Sequence, residues 1–583
     1  MVGIIQNQVI NGECTLSETM HPVLRRVFAA RGIKTEADLS LGLDRLLPVT
    51  QLTGANEAAA LLHQMLERQR RILVVGDFDT DGATSCALAV RALKMMGAQD
   101  VRYLVPNRFE FGYGLTPAIV AEALKQAPDL LVTVDNGISS VEGVAAANAA
   151  GVPVLVTDHH IAGDQLPDAA VLVNPQLPED TFPSKHLAGV GVIFYVMLAL
   201  RRYLREAGWF ESQGMKVPNL ASLLDLVALG TVADVVRLDH NNRIMVHQGL
   251  QRIRAGKGCA GINAIIEVAK RSQSGLVTAD LGFAIAPRLN AAGRLDDMSL
   301  GIECLLADDM QTARAIAQQL DELNHTRRQI EGEMVGQAMD GLSDLLAQED
   351  SDLAVGLCIF RQEWHQGVIG ILASRIREHF HRPVIAFAPA QEGVLKGSAR
   401  SVPGLNIRDV LADMDARNPG LMERFGGHAM AAGLTLQEQH FELFSQAFDQ
   451  EVQRHLGCED LFDVFHSDGV LAVDELNLGL AELIREVSPW GQGFPEPKFD
   501  GVFCIRSKRI VGGRHLKLTV SPEGADLSLD AIAFNQTDDL ADGDRVSIGY
   551  RLDVNQYRSR RSVQMVVEHI QAQGVECGQE PCV

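Results

Sequence analysis

Three short apolar runs, each closed by an aspartate, constrain the fold of this chain more than any other feature. They read RILVVGD, DLLVTVD and VPVLVTD and end at Asp77, Asp135 and Asp158. Alanine-rich stretches with helical periodicity lie between them, and each ends in a glycine that suits a helix C-cap. Buried strands that alternate with helices predict a parallel sheet covered on both faces.

The first run continues as DFDTDG, which adds Asp79 and Asp81 at every second position. Two like charges about 4 Å apart cost roughly 4 kcal/mol at an effective dielectric near 20, so carboxylates crowded this closely normally need cations. The pattern DxDxDG also begins an EF-hand calcium loop. That loop needs a glutamate at its twelfth position, where this chain has Leu88, and a helix rather than a strand before it. We therefore favour a divalent-metal site over a calcium loop.

The carboxyl ends of parallel strands lie at one edge of a sheet, where open α/β proteins bind ligands. The strand-end aspartates should meet there, and Asp158 is followed directly by His159 and His160. Carboxylates with imidazole are suitable ligands for Mg or Mn in a hydrolytic site. One such aspartate alone would more often be a helix N-cap, but five carboxylates and two histidines at one edge favour a metal site.

The remainder of the chain predicts a connecting helix and two further domains. An amphipathic helix is expected from about Gln311 to Leu346, which is long enough to span about 50 Å at 1.5 Å per residue. Arg327 lies on its apolar stripe, and we interpret it as a surface-facing or paired residue at the edge of the stripe. After the helix, alternating strand and helix patterns predict a second α/β unit. From about Phe462 onward, alternating strands with glycine turns predict a small barrel or sandwich.

Composition limits the functions that this chain can have. Its 583 residues are 46% hydrophobic and 22% charged, as expected for a soluble protein of roughly three to four domains. No secretion signal and no apolar run of about 18 residues are present, and nine scattered cysteines without a CxxC pair fit a reducing cytoplasm. The net charge of −22 argues against indiscriminate binding to polyanions, so any nucleic acid must meet local basic patches and metal ions.

The motifs resemble those of a known superfamily. The stretches DFDTDGATS, VDNG, TDHH and GTVADVV, in this order, are similar to the four motifs of the DHH phosphoesterase superfamily, and the letters DHH stand at 158–160. The stretches PNRFEFGYGL, PRLNAAGRLDD, WHQGVIGILASRI, KGSARSVPGLNI and FGGHAMAAG further resemble a bacterial family within it, the 5′ to 3′ exonucleases specific for single-stranded DNA. The resemblance covers nearly the whole chain, and every motif carboxylate and histidine is present.

This resemblance implies an α/β fold class with a domain order that agrees with the periodicity. Residues 1–305 would form an N-terminal helical segment plus a DHH catalytic domain with a parallel sheet, and residues 306–348 would form the connecting helix. Residues 349–458 would form a DHHA1 α/β domain, and residues 459–573 a C-terminal OB-fold β-barrel that binds single strands. Residues 574–583 would be a disordered tail. The implied activity is release of 5′-mononucleotides by two-metal-ion hydrolysis with Mn²⁺ or Mg²⁺. It implies roles in DNA recombination, recombinational repair and mismatch repair.

The implied partners are single-stranded DNA as substrate, a single-strand-binding protein and a DNA helicase. No membrane is involved, and the protein is expected to be a cytoplasmic monomer. The two α/β domains are expected to leave a narrow channel that admits one strand and excludes duplex DNA.

The resemblance also implies metal-binding and catalytic roles. Asp135 is expected to bridge the two metals, and Asp77 either contacts a metal or supports a residue that does. The other expected ligands are Asp79, Asp81, His159 and Asp234, the last of which follows LLDLVALGTVAD. His160 is expected to touch the scissile phosphate, and Asp158 to orient a histidine.

The expected strand-binding residues fall into three groups. Glycine-rich turns and helix N-termini hold phosphates through backbone N–H groups, and the residues expected to capture the end of the strand in this way are Ser374, Arg375, Ser398, Arg400 and His428. Those expected along the channel are Arg288, Asn290 and Arg294, where each arginine could equally form an interdomain salt bridge. Those expected in the barrel are Arg506, Lys508, Arg509, Arg514 and Lys517, with Phe503, Phe534 and Tyr557 as possible stacking aromatics. Outside these groups, Arg108 is also expected to bind the strand, and Tyr113 could stack a base.

Two other functions stay open from the sequence. One is another DHH hydrolase that acts on short oligonucleotides, cyclic dinucleotides or pyrophosphate; such relatives generally lack the C-terminal barrel, so truncation near residue 460 would separate the two. The other is a non-catalytic DNA-replication scaffold, which the intact acidic residues oppose.

Overall fold

The computed structural model of the chain describes residues 4–7, 15–107, 114–346, 354–391, 393–456, 464–536, 540–557 and 560–573. Arg108, Tyr113 and the predicted tail 574–583 lie outside these ranges. The chain divides into a larger unit, residues 7–324 with 466–583, and a smaller unit, residues 325–465 with 1–6. Within the described residues, no helix has the length and apolar character needed to span a membrane.

The first 346 residues contain a parallel sheet surrounded by helices. Their strands are β1 (Ile4–Asn7), β2 (Ile72–Gly76), β3 (Val101–Leu104), β4 (Leu130–Val134), β5 (Val154–Thr157) and β6 (Val171–Val173). Their α-helices are α1 (Pro22–Ala30), α2 (Ala55–Glu67), α3 (Thr80–Met95), α4 (Pro117–Leu124), α5 (Val141–Ala149), α6 (Gly189–Glu206), α7 (Trp209–Ser212), α8 (Leu224–Ala233), α9 (His240–Arg254), α10 (Ala260–Val268), α11 (Thr278–Asp280), α12 (Ala286–Leu295), α13 (Ser299–Leu306) and α14 (Met310–Leu346).

Strands β2 to β6 form one parallel sheet in the order β3-β2-β4-β5-β6. The strands are apolar throughout because both faces are covered: one face packs into the main core and the other into a smaller cluster with α4 and α5. The strand order reverses at β2, which pairs with β3 on one side and β4 on the other. Ligands of open parallel sheets bind at such a switch point. The predicted sheet is confirmed, and the aspartates after β2 and β4 lie at its switch point.

Helix α14 has 37 residues and begins one residue before the predicted start. Arg327 is buried in it and pairs with Glu331, with Nη1 2.7 Å from Oε2. The smaller unit then contains β7 (Leu357–Phe360), α15 (Ile369–Phe380), β8 (Val384–Gln391), β9 (Val394–Arg400), α16 (Ile407–Arg417), β10 (Arg424–Gly427), β11 (Ala431–Gln437) and α17 (Phe441–His455). Its sheet has the order β10-β11-β9-β8-β7, in which only β7 and β8 are parallel. The predicted second α/β unit is confirmed.

The last part of the chain, residues 466–573, is called the barrel segment here. Strand β12 (Val464–Ser467) crosses into it from the smaller unit. The elements that follow are α18 (Leu478–Val487), β13 (Phe499–Val511), β14 (His515–Pro522), β15 (Leu529–Ala533), β16 (Arg545–Tyr557) and β17 (Arg560–Ala572). The barrel follows the order β13-β14-β15-β17-β16, and β16 pairs back to β13. The predicted barrel is confirmed; helix α18 was not predicted.

The barrel segment shares a hydrophobic core with residues 7–324 of the larger unit. Phe28 of α1 stacks on Trp490 and Phe494, with ring centroids 5.8 and 6.3 Å apart. Arg31 pairs with Asp468 at 2.7 Å, and the two side chains are only 2% and 1% exposed. Truncation near residue 460 would therefore uncover this core, so it does not test DNA binding by the barrel alone.

Candidate metal centre

The aspartates that follow β2 are held by two different helices. The side chain of Asp79 is the N-cap of α3, where it accepts hydrogen bonds from the backbone N–H groups of Asp81 at 2.9 Å and Gly82 at 3.1 Å. The Asp81 carboxylate accepts from the N–H groups of Gly189 at 2.6 Å and Val190 at 3.0 Å, at the start of α6. The loop after β2 is therefore fixed by its own helix and by the positive end of a second one.

Asp135 lies at the end of β4 in a strained and crowded position. Its φ of 61° is in the left-handed region, which aspartate and asparagine tolerate better than most residues. The next residue, Asn136, donates from its side chain to the carbonyls of Val75 and Val134 and so ties the ends of β2 and β4 together. A Cβ atom on Gly189 would lie 2.7 Å from Asp135 Oδ1, so only glycine allows this approach.

Asp158 organises the two histidines that follow β5. Its Oδ1 accepts from the N–H of His159 at 2.7 Å and lies 2.7 Å from Nδ1 of His160, and its Oδ2 accepts from the N–H of Ile138 at 2.9 Å. A carboxylate on one ring nitrogen fixes both the tautomer and the orientation of an imidazole.

His159 brings the strand ends together with α8. Its Nε2 is 3.1 Å from Asp135 Oδ1 and 3.4 Å from Asp234 Oδ2. Asp234 comes from the C-cap of α8, a helix, rather than from a strand end. At this edge of the sheet, three sets of residues have ligand atoms that lie within 4.8 Å of one another: Asp77, Asp79 and Asp135; Asp81, His159 and Asp234; and Asp135, His159 and His160. Asp135 and His159 each belong to two of these sets.

The crowding changes the proton affinities of the cluster. Burial, with the neighbouring Asp79, raises the pKa of Asp81 to about 7. Burial and the charge of Asp81 raise the pKa values of Asp135 and Asp234 well above the usual range of a carboxyl group. Without cations, the cluster therefore resists carrying its full negative charge.

In the Asp158–His160 pair, by contrast, both pKa values shift in the direction that favours the charged form of each group. Burial alone would raise the pKa of Asp158, but its hydrogen bond and ion pair with His160 lower it. Burial alone would lower the pKa of His160, but Asp158 raises it. The pair therefore favours an imidazolium beside a carboxylate.

The donor set of this cluster fits hard divalent cations. It consists of carboxylate oxygens and imidazole nitrogen, which suit Mg²⁺ and Mn²⁺, whereas a thiolate-rich set would favour softer metals. Buried carboxylates in three overlapping sets supply more negative charge than a folded protein keeps without counterions. The predicted ligands Asp77, Asp79, Asp81, Asp135, His159 and Asp234 are thus brought together, and Asp77 lies in the same set as Asp79 and Asp135.

One residue whose role differs from the prediction, and three that were not predicted, support this cluster. Asn290 of α12 accepts from the backbone N–H and the hydroxyl of Thr80, both at 2.8 Å, and so holds the loop after β2 rather than a channel wall. The other three are Asn136, Gly189 and Val190, described above. The stretch AGVGVIF carried a signal for the last two, since a glycine-rich helix start is a common anion-binding element.

The predicted end-phosphate residues separate into two groups. Arg400 donates to Ser374 Oγ at 3.2 Å and to Ser398 Oγ at 3.1 Å, beside the start of α15. A Cβ atom on Gly370 would lie 2.8 Å from the Arg400 guanidinium, so glycine is needed under this group. Arg375 instead pairs with Glu331 and Glu378, each at 3.1 Å, and His428 is exposed in the turn between β10 and β11. We call Gly370, Ser374, Ser398 and Arg400 the serine–arginine group.

The predicted channel arginines are partly engaged inside the larger unit. Arg288 is buried, bonds the carbonyl of Ala284 and pairs with Asp321 at 2.8 Å. Arg294 is half-buried near the end of α12.

The predicted basic residues of the barrel lie on β13, β14 and their hairpin. Arg509 pairs in register with Lys517, which also contacts Asp530 at 2.9 Å. Arg506 donates to Ser521, Lys508 to the carbonyl of Leu540, and Arg514 is exposed. The expectation that Phe503 stacks on bases is wrong, because its ring is buried in the barrel core against Tyr550. Phe534 is 52% exposed beside His515, and the side chain of Tyr557 lies outside the described residues.

Family models match three regions of the chain. They are the DHH family N-terminal domain at residues 71–231, the DHHA1 domain at 352–454 and the RecJ OB domain at 467–569. These matches agree with the parallel sheet, the second α/β unit and the barrel.

Characterised relatives and solved structures extend the likeness to almost the full length. The single-stranded-DNA-specific exonuclease RecJ of Dickeya dadantii is 54% identical over 96% of this chain and 97% of its own length, and that of Escherichia coli is 51% identical over 97% and 98%. The crystal structure of RecJ from Thermus thermophilus in complex with Mn²⁺ is similar with a TM-score of 0.77 and 31% identity, over 96% of this chain and 77% of that one. The chain therefore belongs to the RecJ family of single-stranded-DNA-specific exonucleases.

Proposed function

We propose that this protein is an exonuclease that degrades single-stranded DNA from its 5′ end and releases 5′-mononucleotides. The observation that carries the proposal is the position of Asp135, whose carboxylate belongs to two of the three ligand sets. A carboxylate shared in this way can bridge two divalent cations, here Mn²⁺ or Mg²⁺, as in two-metal nucleases. The names of its RecJ relatives support single-stranded DNA as the substrate.

The residues of the cluster would divide between the two cations. One would be held by Asp77, Asp79 and Asp135, and the other by Asp81, His159 and Asp234 together with Asp135, whose Oδ1 lies 3.1 Å from His159 Nε2. When bound, such cations supply activation of the attacking water and neutralise the charge that develops on the phosphoryl group. The backbone N–H groups of Gly189 and Val190 hold the Asp81 carboxylate at this edge whether or not a metal is bound.

His160 would contact the scissile phosphate as a proton-carrying group. Asp158 accepts from Nδ1 and favours the imidazolium form, so His160 can donate from Nε2 to a phosphate oxygen. A positioned donor of this kind stabilises charge in the transition state. Asp158 would act on the reaction only through the histidine that it orients.

The 5′ polarity requires recognition of the strand end. The serine–arginine group supplies two hydroxyls and one guanidinium, and Gly370 in the first turn of α15 packs against that guanidinium. Hydroxyl groups, an arginine and a helix N-terminus are the groups that proteins use to bind a terminal phosphate. We propose that this group binds the 5′ phosphate.

The barrel would hold the strand farther from the cut. Arg509 and Arg514 form no ion pair with a described carboxylate. Arg509 lies on β13 and Arg514 in the β13–β14 hairpin, next to His515, whose ring centroid lies 5.3 Å from that of the exposed Phe534 ring. Basic side chains interleaved with exposed aromatic rings are how OB-folds bind single strands.

The cellular setting follows from this activity and from the family resemblance. A nuclease of this polarity would act in DNA recombination, recombinational repair and mismatch repair, after a DNA helicase separates the strands and beside a single-strand-binding protein. We further propose that it acts as a monomer in the cytoplasm.

End-labelled DNA tests the proposal directly. Single-stranded DNA labelled at either end is incubated with the protein and Mn²⁺ or Mg²⁺. We expect the 5′ label to appear at once as a mononucleotide and the 3′ label to stay on long products until late. Immediate release of the 3′ label, or internal cutting, would contradict the polarity, and equal digestion of a blunt duplex would contradict the strand specificity.

The same assay separates the alternative functions. A hydrolase of short oligonucleotides would release nucleotides from a dinucleotide but leave a long strand intact. A non-catalytic scaffold would bind DNA and release nothing. The variant Asp135→Asn serves as the control, because it removes one metal ligand and leaves the left-handed backbone position acceptable.

A further inference from the structure

A cavity of the larger unit lies away from the metal centre and is lined by basic residues. It has a volume of about 400 Å³, and its wall contains Arg91, Lys94, Arg252 and Lys257. Apolar side chains, including Val90 and Leu226, complete part of the wall. The nuclease mechanism uses none of these residues.

The basic side chains of this cavity have few carboxylates near them, although the chain has more acidic than basic residues. Arg91 bonds the carbonyls of Leu305 and Ala307 and lies 3.8 Å from the exposed Asp308. Lys94, Arg252 and Lys257 form no ion pair with a carboxylate in the part of the chain that the structure describes.

Arg252 and Asp225 are two polar residues of the cavity wall whose side chains are partly or fully buried. The Nε atom of Arg252 is buried and, within the described residues, has no hydrogen-bond partner. The one buried acid of the wall, Asp225, accepts the backbone N–H of Cys259 at 2.6 Å, just before α10 begins. Burial raises the pKa of Asp225 and Arg252 lies close enough to counter that rise, whereas Lys94 and Lys257 form no ion pair with this carboxylate in the described part of the chain.

The cavity is at the opposite end of two helices that carry metal ligands. Helix α3 begins at Thr80, directly after its N-cap Asp79, and reaches the cavity at Lys94, 13 residues after Asp81, which is about 20 Å at 1.5 Å per residue. Helix α8 begins at Leu224, beside Asp225 of the cavity wall, and ends at Ala233, directly before its C-cap Asp234. The cavity is therefore separate from the metal centre.

We propose that this cavity binds a nucleoside 5′-monophosphate, with the phosphate among Lys94, Arg252 and Lys257 and the base against the apolar wall. Its volume is in the range of small-molecule sites, about 300–1,000 Å³, and exceeds what a phosphate ion would fill. A phosphate monoester carries about −1.5 to −2 charges at pH 7, which matches a cluster of cations whose two lysines pair with no carboxylate in the described part of the chain.

Calorimetric titration of the full-length protein with dAMP in EDTA tests the proposal, because EDTA suppresses binding at the metal centre. We expect dAMP to bind, and the double variant Lys94→Ala/Lys257→Ala should weaken its tightest binding at least tenfold. Both lysines are exposed, so folding should be retained, and a thermal melt checks this. Lys34→Ala, which removes an exposed lysine that does not line the cavity, is the matched control and should bind as the wild type does.

Three companion ligands complete the test. Deoxyadenosine and inorganic phosphate should each bind at least tenfold more weakly than dAMP, and a ten-residue oligothymidylate should not displace dAMP. Equal binding by the double variant, or no dAMP binding by the wild type, would overturn the proposal. Equal affinity for inorganic phosphate would overturn the nucleotide assignment, and displacement by the oligonucleotide would assign the cavity to the DNA path instead. Each result is independent of nuclease activity.

Discussion

Asp135 meets three constraints at once. Its backbone is left-handed, a glycine packs against its side chain, and its carboxylate belongs to two sets of candidate metal ligands. We expect Asp135→Asn to reduce metal-dependent nucleotide release by more than about 100-fold, since even residues that only support metal ligands typically cost 10–100-fold. The same variant should melt at a higher temperature than the wild type in EDTA, because it removes one charge from a buried cluster of like charges.

Asp129→Asn is the control for this variant. Asp129 is partly exposed and pairs with Arg70 at 3.3 Å, outside the metal centre. The Asp129→Asn variant should keep nuclease activity. A melting temperature of Asp135→Asn below that of the wild type in EDTA would show that the carboxylate stabilises the metal-free fold, contrary to our expectation.

The same carboxylates make the stability of the metal-free protein depend on pH. The folded-state pKa values of Asp81, Asp135 and Asp234 are raised, to about 7 for Asp81, from an unfolded value of 3.8. Their contribution to stability is fully present below the unfolded value and is lost as pH rises through the folded values. His160, whose pKa is also raised, acts in the same direction.

We therefore expect the melting temperature in EDTA to fall between pH 5 and pH 8, and the stabilisation by added Mn²⁺ to grow over the same range. Thermal unfolding at one-unit pH intervals, at constant ionic strength, measures both. A melting temperature in EDTA that rises toward pH 8 would contradict this interpretation.

At the scale of elements, the centre depends on helices that contribute no ligand. Asn290 of α12 holds Thr80 by two hydrogen bonds, although 210 positions separate the two residues. We expect Asn290→Ala to weaken Mn²⁺ binding about 10–100-fold, which is typical for loss of a group that orients metal ligands. Thr80→Ser, which keeps the hydroxyl and the backbone bond, should bind Mn²⁺ nearly as the wild type does.

Mn²⁺ titration followed by thermal shift measures both variants. If Asn290→Ala lost activity at saturating Mn²⁺ while its metal affinity stayed unchanged, Asn290 would act on the substrate, as the sequence suggested, rather than on the loop. That result would separate a positioning role from a DNA contact.

Much of the fold and most of the metal centre were predictable from local patterns. The strand ends with Asp77, Asp135 and Asp158 follow from apolar runs of fixed length, and parallel strands must share one edge. The contacts of Asn290 and of the Gly189 N–H group were not predictable, because they join distant segments by packing alone. Phe503 was misjudged because strand alternation does not say which face is inward, and a shift of one residue exchanges the faces.

At the scale of the whole molecule, the Arg31–Asp468 ion pair joins the first helix to the barrel segment. Its side chains are almost fully buried, and loss of one partner of a buried pair typically costs about 3–5 kcal/mol because it leaves an uncompensated charge. We expect Asp468→Ala to lower the free energy of unfolding by about that amount. Chemical denaturation of the purified variant measures it.

The double variant Arg31→Met/Asp468→Leu distinguishes the charge from the packing. It should recover most of the loss, since apolar replacements of a buried ion pair are often neutral or stabilising. If it were as unstable as Asp468→Ala, the hydrogen bonds of this pair to the backbone, such as Arg31 to Pro495, would matter more than its charges.

The larger unit is formed by two separate stretches of the chain, which leave the ribosome at different times. Its two parts, 7–324 and 466–583, are separated on the chain by the smaller unit. Arg31 leaves the ribosome 437 residues before Asp468, an interval of about 20–90 s at roughly 5–20 residues per second. During that time, Phe28 has neither Trp490 nor Phe494 to cover it. A nascent chain that stops early thus carries every ligand of the metal centre but lacks part of the core that supports it, and it presents an apolar surface to chaperones and proteases.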